Sequence, residues 1–146
     1  MTIRQLIYSS RPFGYDSAML GGILIAARRN NRRDGLTGAL ICRHDIYLQL
    51  LEGPDDAVTA AYARIVRDDR HLDLAVLSST AVAARMFPQW DMLDDPARSW
   101  LWSPAEVADG VVETAGSAAV VAVFARVAEE LAVATEPAAC PRELNA

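Results

Sequence analysis

Gln49 stands inside the apolar run Ile46-Tyr47-Leu48-Gln49-Leu50-Leu51, where a core strand ordinarily takes Val or Ile. A buried primary amide costs roughly a few kcal/mol unless both its ends find partners. Something polar must therefore meet it. An amide is neutral and carries a donor and an acceptor at opposite corners, so it exchanges hydrogen bonds without creating a buried charge, as Asp or Glu could not. Tyr8, in Leu6-Ile7-Tyr8-Ser9-Ser10, brings a phenol that can give up an electron and then a proton, although taken alone it is a core aromatic. Arg28-Arg29 and Arg32-Arg33 are cations suited to the negative end of a helix dipole. His71, after Asp69-Arg70, reads as a loop histidine, and Trp90 and Met92 read as core at period two. Cys42 and Cys140 form no CxxC and sit near no His pair, so neither a zinc site nor a disulfide framework is indicated, and a reducing cytosol is the simpler setting.

These residues need elements to position them. Residues 3–10 read as a strand ended by Arg11-Pro12-Phe13-Gly14, and a helix capped by Asp16 or Ser17 runs to about Asn30, with Met19, Leu20, Ile23, Leu24 and Ala27 at helical spacing. Asn30 to Gly35 stops it. Residues 36–43 and 45–53 form a hairpin through His44-Asp45, and Pro54-Asp55-Asp56 opens a second helix that ends near Asp69, with Val58, Ala61, Tyr62 and Ile65 as its stripe. A fourth strand spans 72–80, and 84–92 ends in a short fifth one.

The order β-α-β-β-α-β-β contains the split βαβ of a ferredoxin-like α+β sheet. Right-handed crossovers and the hairpin place strands one and three side by side in its middle. Tyr8 and Gln49 then become neighbours, both expected to face the two helices. After Leu93, Asp94-Asp95-Pro96 breaks the chain, Ser103-Pro104-Ala105-Glu106 starts a short helix, and 117–134 form a longer one rich in Ala and Val. These C-terminal helices are expected to cover the other sheet face. Residues 135–146 read as a frayed tail.

With 146 residues the chain is long enough for one cored domain with an appendage. Its net charge of -5 and pI near 4.9 oppose general polyanion binding, and no aromatic residues interleave the arginines as a nucleic-acid face would require. No apolar stretch of membrane-spanning length lacks a charge, and the N-terminus has no signal-peptide core. A hydrophobic fraction of 52% points to a buried cofactor, a subunit interface, or both.

Four segments together carry a resemblance: Leu6-Ile7-Tyr8-Ser9-Ser10; Ala27-Arg28-Arg29-Asn30-Asn31 with Gly35-Leu36-Thr37-Gly38; Tyr47-Leu48-Gln49-Leu50-Leu51-Glu52-Gly53; and Asp68-Asp69-Arg70-His71 with Arg85-Met86-Phe87-Pro88-Gln89-Trp90-Asp91-Met92. Their order and spacing over residues 3–93 resemble the BLUF family, blue-light sensors that use flavin. The resemblance implies a noncovalent flavin between the two helices, its ring edge meeting Tyr8, Gln49 and Asn31. FAD, FMN and riboflavin share those ring contacts, FAD being the family's usual flavin. It further implies that Tyr8 donates an electron and proton under light and that Gln49 rearranges its hydrogen bonds. Asn30 and Arg28 match positions that help hold the ring, ribityl chain or phosphate. Asp68, Arg70 and His71 match a segment at the ring's far side, and Ile23 and Ile65 would wall it. Met92 and Trp90 match the pair whose exchange near the glutamine carries the signal outward.

On this resemblance, residues 1–93 are the photosensor, 94–134 a helical output cap, and 135–146 a disordered tail. There is no room after Leu93 for a cyclase or phosphodiesterase domain, so the expected protein is not an enzyme. Its signal would pass to an unknown partner protein, and a homodimer suits an Ala/Val-rich helix. Two other classes stay open at this point: a flavin-dependent redox protein, and a flavin-free interaction module of the same fold.

Overall fold

The computed structural model describes residues 2–12, 17–68, 71–96 and 98–135. Among the described residues ten elements follow one another: β1 (Ile3–Pro12), α1 (Ser17–Asp34), β2 (Thr37–Arg43), β3 (Ile46–Gly53), α2 (Asp55–Val66), β4 (His71–Val82), β5 (Leu93–Pro96), α3 (Pro104–Ala108), α4 (Val111–Thr114) and α5 (Ser117–Thr135). They build a five-stranded sheet in the order β4-β1-β3-β2-β5, antiparallel except where β5 runs parallel to β2. β1 and β3 are central, and Tyr8 lies directly opposite Gln49. The hairpin and crossover rules suffice to fix this pairing.

Two expectations are corrected. α1 does not stop near Asn30 but continues to Asp34. Gly35, at φ 74°, ends it, and Leu36 N–H closes back onto the Asn31 carbonyl at 2.9 Å, the six-to-one bond of a Schellman cap. The polar run 30–34 is thus the last helical turn, and both asparagines sit on the helix. The fifth strand is also displaced. Residues 83–92 form no strand, and β5 lies where Asp94-Asp95-Pro96 suggested a break. Pro96 closes a strand at the sheet edge, where a missing N–H is tolerated.

The sheet has an apolar layer on each side. On one face Leu6, Tyr8, Leu40, Tyr47, Leu51 and Met92 pack against Ile23 and Leu24 of α1 and Val58 and Ala61 of α2. On the other, Ile7, Ile41, Leu48 and Leu50 pack against Val107, Val112, Val120, Phe124 and Val127. The C-terminal helices therefore cover the second face from the same chain. Phe87 and Phe124 meet edge to face at 6.3 Å, and the Arg126 guanidinium lies 4.2 Å from the Trp100 ring centroid. Among the described residues no helix is long and apolar enough to cross a membrane.

Candidate functional site

Alternation along β1 and β3 puts Tyr8 and Gln49 on the face shared with α1 and α2, and both are buried. The Tyr8 hydroxyl donates to Gln49 Oε1. Gln49 Nε2 approaches Met92 Sδ at 3.5 Å, a weak acceptor. The amide thus has a strong partner at its oxygen and a poor one at its nitrogen. Burial holds the Tyr8 phenol well above the usual tyrosine range, and Tyr62 and Asp68 push in the same direction. Tyr8 is therefore a proton-bearing donor at neutral pH. The Tyr62 ring meets it edge-on at 5.5 Å.

Beside this pair, a cleft of about 590 Å³, counted out to its opening to solvent, separates α1 from α2. Gln49 and Leu51 lie at its base, Ile23, Ala26 and Ala27 on the α1 side, and Ala61 and Ile65 on the α2 side. Asn30, Asn31, Arg64 and Asp68 supply its polar groups. Apolar walls with a few convergent polar groups suit a flat aromatic ligand with hydrogen-bonding edges. The small side chains of Ala26, Ala27 and Ala61 leave room between the helices that larger residues would fill.

The structure brings Ile23, Asn30, Asn31, Gln49, Ile65 and Asp68 together around the cleft, with Tyr8 and Met92 against the buried side of Gln49. Arg28 is elsewhere occupied: its Nε donates to the Met92 carbonyl at 3.2 Å. Trp90 packs with the layer on the opposite sheet face, so Met92 and not Trp90 adjoins Gln49. Arg70 and the His71 side chain lie outside the described residues.

Sequence reasoning missed three contributors. Arg64 lines the cleft from α2, a position that reads as an ordinary surface arginine. Asp91 is buried and takes both Nε and Nη2 of Arg32 on Oδ2, at 3.0 and 2.7 Å. Glu52 drew no role near the end of the strand read over 45–53, yet it is fully buried and organises the segment before β5. It accepts from the backbone N–H groups of Met86 at 2.8 Å and Phe87 at 2.7 Å, and from Thr37 Oγ1 at 3.1 Å. Burial pushes its carboxyl upward, opposed by those hydrogen bonds and by the charge of Arg85. The available signal was an acid three residues beyond Gln49 in a strand whose every residue is buried.

The architecture is a split-βαβ sheet with a cleft between its two helices, Gln49 at the cleft's base and Tyr8 on the buried side of Gln49. The family model "Sensors of blue-light using FAD" matches residues 3–93, and the chain belongs to this BLUF family. It is thus a blue-light sensor domain, and its cofactor is a flavin, FAD by the family's description. Photoactivated adenylate cyclase subunit beta of Euglena gracilis is 35% identical over 93 residues, 62% of this chain and 11% of that one. The chain therefore spans only about a tenth of the length of such curated relatives. The dark-state structure of BlrB, a BLUF protein, superposes with a TM-score of 0.75 at 27% identity, covering 89% of this chain and 98% of that one. A bacterial light-regulated adenylyl cyclase superposes at 0.63 and 26% identity, over 87% of this chain and 38% of that one.

Proposed function

We propose that Tyr8 and Gln49 are the photoactive pair, and that blue light is registered as a change in the hydrogen bonds of the Gln49 amide. The observation that carries this is the Tyr8 hydroxyl donating to Gln49 Oε1 while Gln49 Nε2, among the described residues, meets the weakly accepting Met92 thioether. When bound and excited, the flavin supplies an acceptor for one electron and one proton. Tyr8 keeps its proton on the hydroxyl in the dark; the electron and proton it would give up under light would both return to it, leaving the Gln49 amide turned over, its donor and acceptor corners exchanged and no charge left behind. Ile23 and Ile65 flank the ring and Ala26, Ala27 and Ala61 admit it, keeping water from the pair. Asn30, Asn31 and Asp68 are its polar contacts, with Arg64 added from α2. Arg28 serves the ring indirectly, by holding Met92, and Arg70 and His71 are proposed at the far rim by resemblance alone.

Met92 is the first residue to register a change at Gln49 Nε2. From there the signal runs along 85–92 to Trp90 and into α3–α5, which act as the output cap of a sensing unit formed by residues 1–93. The chain acts as a sensor, not a catalyst, in the cytoplasm, and works as a homodimer on a partner protein. A ligand or photon shifts such an equilibrium only as far as it distinguishes the two states. Here the distinguishing group is one amide.

Absorption spectra of the flavin-loaded protein in the dark, under blue light and on return to darkness test this. A small red shift that recovers, and that is abolished in both Tyr8→Phe and Gln49→Leu, is the expected result. A flavin that bleaches durably, or a shift that survives both substitutions, rejects the pair.

A further inference from the structure

Three side chains on one face of the last turns of α1 hold the two residues that precede β5. Arg28 Nε donates to the Met92 carbonyl at 3.2 Å, Asn31 Nδ2 to the Asp91 carbonyl at 2.7 Å, and Arg32 to Asp91 Oδ2 through Nε and Nη2 at 3.0 and 2.7 Å. Their spacing, i, i+3 and i+4, places them on one side of the helix. The ion pair is lopsided: the Asp91 side chain is 1% exposed and that of Arg32 40%. A carboxylate taken that far out of water is tolerated only while its cation stays in place.

Asp91 also sits between two side chains that serve opposite faces of the sheet. Trp90 packs with the layer under α3–α5, and its carbonyl accepts from Gly38 N–H at 3.1 Å. Met92 packs with the cleft layer. A backbone movement that exchanges Met92 for Trp90 at Gln49 rotates the peptides on either side of Asp91 and pulls on its pairing with Arg32.

We propose that the Arg32–Asp91 ion pair is a latch that fixes residues 90–92 in the arrangement with Met92 on Gln49 and Trp90 towards the C-terminal helices, making Arg32 and Asp91 positioning residues for signal output. This rests on the output path proposed above. The latch is discrete because parting Asp91 from Arg32 takes from a buried carboxylate both of the charged hydrogen bonds that Arg32 gives it. Packed, paired elements of this kind switch between alternatives and do not drift. Asn31 links the latch to the cleft, since it lines the cleft and grips the Asp91 carbonyl at once.

Peptide-resolved hydrogen exchange on the full, FAD-loaded chain, in darkness and under blue light, tests the latch. Arg32→Gln and Asp91→Asn are each expected to raise dark exchange of residues 86–93 about tenfold or more while the rest of the sheet keeps its protection. The double variant should be no looser than Arg32→Gln alone, because Asp91→Asn removes the buried charge that Arg32→Gln strands. Arg32→Lys, which keeps the cation, should restore part of the protection. The flavin red shift should persist in all four, since neither residue belongs to the Tyr8–Gln49 pair. Unchanged exchange at 86–93, a loss spread evenly over the whole sheet, or additive effects in the double variant would overturn the latch. A wild-type protein showing the red shift but no light-driven exchange at 86–93 would instead remove the output path, while its dark protection still reports on the latch.

Discussion

A buried phenol and a buried amide each need a partner, and the Tyr8 hydroxyl and the Gln49 carbonyl oxygen satisfy each other across two central strands. The same burial predicts a pH dependence. A tyrosine whose folded pKa is raised binds its proton more tightly folded than unfolded, so its contribution to stability is intact below the unfolded value and declines as pH rises past about 10. Wild type should therefore lose stability faster than Tyr8→Phe as pH is raised through that range, and unfolding curves at a series of alkaline pH values read the difference. Below it, from pH 6 to 9 or so, Tyr8 stays protonated and gives the cycle no pH dependence of its own. At this scale the sequence was informative wherever a residue type broke its local pattern. Gln49 among leucines is such a break. Asp91 and Glu52 were not, because an acid near a turn is ordinary and only the fold reveals that these two are buried.

Among the elements, the segment between β4 and β5 has no regular hydrogen-bond ladder of its own and borrows its order from Glu52. Arg85 completes the brace, with Nη1 on Thr37 Oγ1 at 2.9 Å and Nη2 on the Gly35 carbonyl at 2.8 Å. Glu52→Ala strips two backbone N–H groups of their acceptor and leaves a cavity, at a cost of about 2–4 kcal/mol, whereas Glu52→Gln, keeping an acceptor oxygen, should cost roughly half as much. Urea unfolding of the two variants against wild type measures both. Helix and strand order was readable from periodicity and turn residues. The end of α1 and the place of β5 were not: a run of Asn and Arg is compatible with helix, and Gly35 in place of Asn30 decides its end. The lone pairing with β2 that makes β5 a strand is a long-range contact invisible to local pattern.

For the whole molecule, one sheet separates two layers of different purpose, a cleft under α1 and α2 and a solid core under α3–α5. Phe124 is fully buried at the centre of the second layer. Phe124→Ala should cost about 3–5 kcal/mol, read as a lowered unfolding midpoint, while the red shift of the protein that stays folded keeps its size. The need for a cover on that face was legible in the sequence, since a sheet with two crossover helices leaves one side bare. Which side chains would form it was not, because Ala and Val at helical spacing suit many partners.

The route round the edge at residues 90–93 has an evolutionary corollary. Trp90 and Leu93 belong to the solid core, Asp91 and Met92 to the side of the cleft, so neighbouring residues thread from one compartment to the other at the rim of the sheet. The wall itself need carry no message. On the reading proposed above, the photochemistry belongs to one compartment and the partner's surface to the other, joined by the few residues at 90–93 that serve both. If that division holds, residues of α3–α5 that do not touch Trp90 or Leu93 can be replaced to suit a different partner without altering the lining of the cleft.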